Sequence, residues 1–347
     1  MKRSLFILEV GLIVSLAVSA AAAGADGSQS TSQTSQVTGL PAVEQTQKFS
    51  EGLAPIQVID KWGYIDKTGR IVITPQFQAA GPFFEAMAAV RSNDKFGFID
   101  KTGWLVIEAK YEGAARFSEG LAAVLAGALW GYVDQTGTMV VNPAYDSADR
   151  FSEGLAKVGT GGRFGFIDKT GKMVINPWYD AADRFSEGLA PIKTVGKWGY
   201  VDKRGNSVIS QLYDQADPFY DGIARVKASD KWGFIDKSGA TVVRPWYDSA
   251  DHFADGLAPV QENGKWGFVD VNGREVVNPW YDQAGPFSEG LARVQTTGKW
   301  GYIDKDGNFS LQPQFDDADN FSEGFARVSL SGRWSYIDRA GKQIWGQ

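Results

Sequence analysis

The sequence repeats itself every 34 residues, and this period limits the fold more than any other feature. The aromatic residue of one phrase stands at Trp62, Phe96, Trp130, Phe164, Trp198, Trp232, Trp266, Trp300 and Trp334, with no insertion between copies. A fixed period of this size marks a repeat architecture. Each unit is then one small element that buries its apolar surface against its neighbours.

Two kinds of repeat share this period, helical pairs and β units. The copies are punctuated throughout by Gly and Pro, and their apolar residues alternate or run in short blocks. A stretch such as "GLARVQTTGKWGYIDKDG" cannot hold a helix through its Gly-rich turns. The copy at 287–320 parses instead into three strands, "LARVQ", "KWGYID" and "NFSLQ", joined by short turns and followed by a loop "PQFDDADN". Closely spaced short strands of this kind predict an antiparallel meander.

The turns carry their own chemistry. In "DKTG" (66–69) Asp stands first and Gly fourth, which predicts a turn whose amides bond the Asp side chain and whose Gly takes the left-handed conformation. Asp recurs there in all nine copies, from Asp66 to Asp338, and reads as a hairpin residue, not as a ladder of metal ligands. On the strands, Trp62 and Tyr64 face one way and Ile65 the other, so both faces of each small sheet are apolar and neighbours must cover both. The Gly after the aromatic is expected to leave bare backbone for an aromatic ring of the adjacent unit. Ser335, which replaces that Gly in the last copy, fits a terminal face with nothing to cover it.

Three elements, "F-S-E-G-L-A-x-V", "K-W-G-[YF]-[IV]-D" and "x-G-x-x-V-[IV]-x-P-x-[YF]-D", run through residues 49–347. In these the chain resembles the WG or KWG repeat family of bacterial proteins. The resemblance implies an all-β repeat scaffold in an exported or surface protein, and it brings no catalytic residues with it. The expected fold is all-β: nine 34-residue three-stranded antiparallel meander units in an open or superhelical solenoid. A closed propeller-like ring is the alternative. The open form is favoured because propellers typically have about four to eight blades, and because no strand is left over to close a ring across the termini.

The first residues, "MKRSLFILEVGLIVSLAVSAAAAGADG", place Lys2 and Arg3 before an apolar stretch that ends in small residues. This predicts a signal peptide at 1–23, although Glu9 interrupts the apolar run. Residues 24–48, rich in Ser, Thr and Gln, read as a linker, and 49–347 as the repeats. The chain has no Cys, which excludes a lipoprotein anchor and any disulfide, so the expected location is the periplasm, the cell surface or the exterior. No membrane insertion is expected after signal cleavage. The net charge of −6 without a basic stripe argues against nucleic acid and anionic membranes as partners.

Little in the sequence points to catalysis. His252 is the single histidine, and its counterparts include Arg150, Arg184, Pro218 and Asn320, so it reads as a solvent-facing loop residue. With no Cys and no second His, nucleophilic triads and His-based zinc sites fall away. Acid pairs recur at Asp146/Asp149, Asp180/Asp183, Asp214/Asp217, Asp248/Asp251 and Asp316/Asp319. They match no calcium loop, so no metal and no cofactor is expected. The most informative slot lies just before the Tyr or Phe of "PxYD". It holds Gln76, Lys110, Ala144, Trp178, Leu212, Trp246, Trp280 and Gln314. A slot that accepts Gln, Lys and Ala is no core position, so Trp178, Trp246 and Trp280 read as exposed contacts for a protein or a carbohydrate. The expected function is a non-enzymatic binding scaffold. The competing expectation is a glycan-processing enzyme that uses the paired carboxylates.

Overall fold

The computed structural model describes residues 43–345. The leader expected at 1–23 and the linker as far as residue 42 lie outside the described residues. Residues 43–46, read as the end of the linker, form the first strand of the first unit.

The described residues form nine antiparallel sheets, one per repeat. Each has four strands, not the expected three. In the first unit β1 (Val43–Thr46), β2 (Leu53–Val58), β3 (Lys61–Asp66) and β4 (Ile71–Phe77) bond in chain order. In the later units the first strand is only two residues, such as Ala79–Ala80, and one residue separates it from the fourth strand of the preceding unit. Such a piece is hidden inside what the sequence reads as a loop.

The turn between third and fourth strands follows its Asp. The Asp66 carboxylate accepts from the Thr68 amide at 2.9 Å and the Arg70 amide at 3.1 Å, and Gly69 sits at φ 83°. The Gly after the aromatic has a different role from the one expected. Between Trp62 and Tyr64 the register slips: Trp62 stands opposite Phe77 and Tyr64 opposite Ile73. The fourth strand thus carries extra residues around Pro75, a bulge on an edge strand. A Cβ on Gly63 would lie 2.4 Å from the Ile73 carbonyl oxygen and 2.6 Å from the Pro75 nitrogen. The bare backbone therefore admits the unit's own fourth strand, and not a neighbour's ring.

Both faces of each sheet are covered, as the alternation requires. Tyr64 packs forward on Phe83, Val90 and Ile99 of the second unit. Ile65, on the other face, packs backward with Phe49 on Tyr336 of the ninth. That second contact closes the array. Ser118, Ser152 and Ser288 each donate a side-chain hydrogen bond to the Phe carbonyl of the next unit, and Ser322 does so to Phe49, back in the first. The carboxylates of Glu119 and Glu153 accept from Gly154 and Gly188, and Glu323 accepts from Gly52 at 2.9 Å. Lys101 pairs with Glu51, Lys169 with Glu119, and Lys67 with Glu323 at 2.9 Å. Each of these three kinds of bond recurs between unit nine and unit one. The fold is thus a closed nine-bladed β-propeller, and the open solenoid is corrected. Closure needs no strand shared across the termini, because side-chain contacts alone join the ninth face to the first.

Candidate functional site

Two surfaces carry side chains that the fold does not require. The first is the outer edge of each sheet. The fourth strand pairs only with the third, and its residues alternate between core and solvent, as in Met173–Tyr179, where Ile175 and Tyr179 are buried and Val174, Asn176 and Trp178 are exposed. The slot before Tyr or Phe therefore points outward in every unit that fills it. Trp178 is 69% exposed, Trp246 62% and Trp280 74%, with Leu212 at 66% between the first two. Four successive units thus present a large apolar side chain at the same outward position. Trp104, 73% exposed, was missed by sequence reasoning. It follows the turn Gly at a position held elsewhere by Arg70, Thr138 and Lys172, so the same argument from a tolerant slot could have found it.

The second surface is formed by the loop that follows each first strand. Residues of three consecutive units meet there: Asp183 and Arg184, then Asp217, Pro218 and Tyr220, then His252, around an open recess of about 520 Å³. Contact across three units of a ring places these loops around the central axis. Arg184 donates to the Tyr220 hydroxyl, and the Tyr220 and His252 rings lie 6.1 Å apart. His252 Nδ1 stands 2.7 Å from Asp251 Oδ1. The sequence places His252 in a solvent-facing loop, and it is indeed about half exposed, but it faces this recess. The recess arises where Pro218 and Tyr220 replace the Arg and Ser of the two preceding copies, with no insertion to signal it.

Arg116 and Arg150 continue the axial arc into units three and four. Arg116 lies over the Phe84 ring at 3.8 Å. Burial and the adjacent arginines, Arg150 and Arg184 for the one and Arg184 for the other, lower the guanidinium pKa values of both. Burial disfavours the charged form most, and like charges held close by add to it.

The acid pairs do not converge. The first member binds the outer hairpin: Asp214 pairs with Lys197 at 2.5 Å and accepts from the Ser229 amide at 3.0 Å. The second turns to the axial end: Asp217 pairs with Arg225 at 2.6 Å, and Asp319 with Arg327 at 2.8 Å. Among the described residues no three His, Cys, Asp or Glu side chains gather closely enough to hold a metal ion.

A sequence profile described as "WG containing repeat" matches eight consecutive segments: 62–96, 96–128, 130–163, 164–198, 198–232, 232–266, 266–300 and 300–334. None of the curated proteins compared with the chain matches it. Among solved structures, a eukaryotic initiation factor is similar with a TM-score of 0.62 at 10% identity, over 84% of this chain and 94% of that one. Likeness at that identity concerns the fold alone. An extracellular domain from B. thetaiotaomicron reaches a TM-score of 0.35 at 10% identity, over 86% of this chain and 53% of that one. The PorZ surface component of the type-IX secretion system of Porphyromonas gingivalis reaches 0.36 at 9%, over 89% and 52%. The chain spans about half the length of these last two.

Proposed function

The chain belongs to the WG-containing-repeat family, and from that premise we propose that it is a non-enzymatic exported scaffold. It holds a protein or a glycan partner at the cell surface or in the periplasm, through a face that includes Trp178, Trp246 and Trp280. The observation that carries this reading is the arc of large apolar side chains, exposed at one repeated position on four successive outer strands. Water-facing Trp at a position that tolerates Gln is not there for folding. A flat indole suits stacking on a sugar ring or anchoring a protein partner. The export half of the reading rests on Lys2, Arg3 and the apolar stretch behind them. The separate engagement of the two members of each acid pair also favours a binder over a glycosidase, which needs two carboxyl groups facing one bond.

The test is a glycan array and a cross-linking pull-down with the purified protein, followed by W246Q/W280Q. Gln is the residue the chain itself places in this slot, at Gln76 and Gln314, so the double variant should melt at nearly the parent temperature. Its affinity should fall by a few kcal/mol, the scale of paired aromatic hot spots. A folded variant that binds as tightly as the parent places the contact face elsewhere.

A further inference from the structure

The axial arginines are not used by the outer contact face, and their surroundings are unusual. Arg116, Arg150 and Arg184 hold the same loop position in three successive units. In unit three the residue before the Arg is Ala115, so Arg116 has no acid beside it in the sequence, and the acid that acts on it is Asp149 of the next unit. In unit four that residue is Asp149, but its carboxylate accepts from the Arg150 backbone amide at 2.8 Å and stands 3.5 Å from Lys157. In unit five Asp183 approaches the Arg184 guanidinium only to 3.9 Å. Neither the Arg116 nor the Arg150 guanidinium forms an ion pair or donates a hydrogen bond to another described residue. The contact of Arg116 with the Phe84 ring uses none of its N–H donors, which are left for another partner.

We propose that this arc is a binding site for a compact polyanion, a ligand bearing two or more phosphate or carboxylate groups. The guanidinium fork matches such oxyanions two bonds at a time. A single monovalent anion can satisfy one fork, whereas the unpaired forks of Arg116 and Arg150, with Arg184 beside them already bonded to Tyr220, ask for linked anionic groups. Burial first, and neighbouring arginines second, lower the guanidinium pKa values of Arg116 and Arg150, and a bound anion would favour their charged forms. The chain as a whole is acidic, at −6, so anion binding here would be local and not a property of the general field. At the far end of the arc the charge changes: Asp217, although paired with Arg225, and Asp221 line the recess beyond Arg184. The ligand therefore sits over Arg116, Arg150 and Arg184 and stops short of Tyr220.

Calorimetric titration of the purified protein at low ionic strength, with tripolyphosphate in one arm and citrate in the other, tests this. Saturable binding of either is expected, and which arm binds separates a phosphoryl ligand from a carboxylate one. Added salt should weaken the binding. R116Q/R150Q should lose affinity by on the order of tenfold or more, as expected for lost charge-assisted bonds. W246Q/W280Q, altered only on the outer rim, should bind these anions like the parent, which separates this site from the proposed partner face. Should the double Arg variant fail to fold, R116Q and R150Q alone are each expected to weaken binding. No binding in either arm, or undiminished binding by folded Arg variants, overturns the proposal.

Discussion

At Gly199 a single hydrogen decides whether a blade can form. A Cβ there would lie 2.4 Å from the Ile209 carbonyl oxygen and 2.8 Å from the Gln211 nitrogen, both backbone atoms that cannot swing aside. Gly199→Val should therefore cost about 3 kcal/mol, the upper range for overpacking, measured by denaturant unfolding. Ser335 stands at the equivalent position of unit nine and already carries a Cβ. Ser335→Val should cost less than about 1 kcal/mol. Equal losses would show that the bulge around the fourth strand is not what excludes a side chain. The neighbouring position makes a second test. Tyr200 is fully buried, and its hydroxyl donates to the Asp217 carbonyl of the next unit at 2.7 Å. Burial raises its pKa well above the usual tyrosine value, so the hydroxyl stays a donor. The chain uses Phe at the same place, as Phe166 and Phe234, so Tyr200→Phe keeps the packing and loses one hydrogen bond. The expected cost is about 1 kcal/mol.

At the scale of the turn and the blade, carboxylates do the joining, and their state depends on pH. The turn aspartates Asp66, Asp100, Asp134 and Asp168 are held below the usual range, first by the Thr hydroxyl two residues on and then by backbone amides. Burial pushes the clamp residues Glu51, Glu153 and Glu323 upward, but their lysines and the amides of the next unit outweigh it and leave them lowered. A lowered carboxyl contributes stability above its unfolded pKa, about 4 for these residues, and loses it as pH falls through the folded value. The melting temperature should be flat from neutral pH down to about 5 and fall progressively below about 4. A midpoint that does not move at acid pH would mean that these bonds add nothing. The turn itself was legible in the sequence, because Asp66 and Gly69 act on residues within their own loop. The role of Gly63 was not, because the register slip that brings Pro75 over it belongs to pairing and leaves no local signal. The outward slot of Trp178 could be read from what else occupies it. The recess at Tyr220 and His252 could not, since residues of successive copies meet there only once the units are arranged about an axis.

At the scale of the whole molecule the sequence leaves closure open for a physical reason. An open array and a ring use the same interface eight times and differ only at the ninth, where both partners look like ordinary members of the repeat. Phe49 is such a residue. In an open array it would begin an uncovered face; in the ring it is 3% exposed, 5.5 Å from the Phe325 ring and 5.0 Å from the Tyr336 ring. Phe151 is its counterpart at an internal interface, 4.9 Å from Tyr132. Truncating a well-packed buried Phe costs about 3–5 kcal/mol, whereas truncating an exposed one costs little. Phe49→Ala and Phe151→Ala should therefore destabilise the protein alike. Because every unit of a closed ring is held by two interfaces and none is terminal, each variant should also unfold in one cooperative transition. If Phe49→Ala costs less than about 1 kcal/mol while Phe151→Ala costs the full amount, the ninth interface is not formed in solution and the ring is open there.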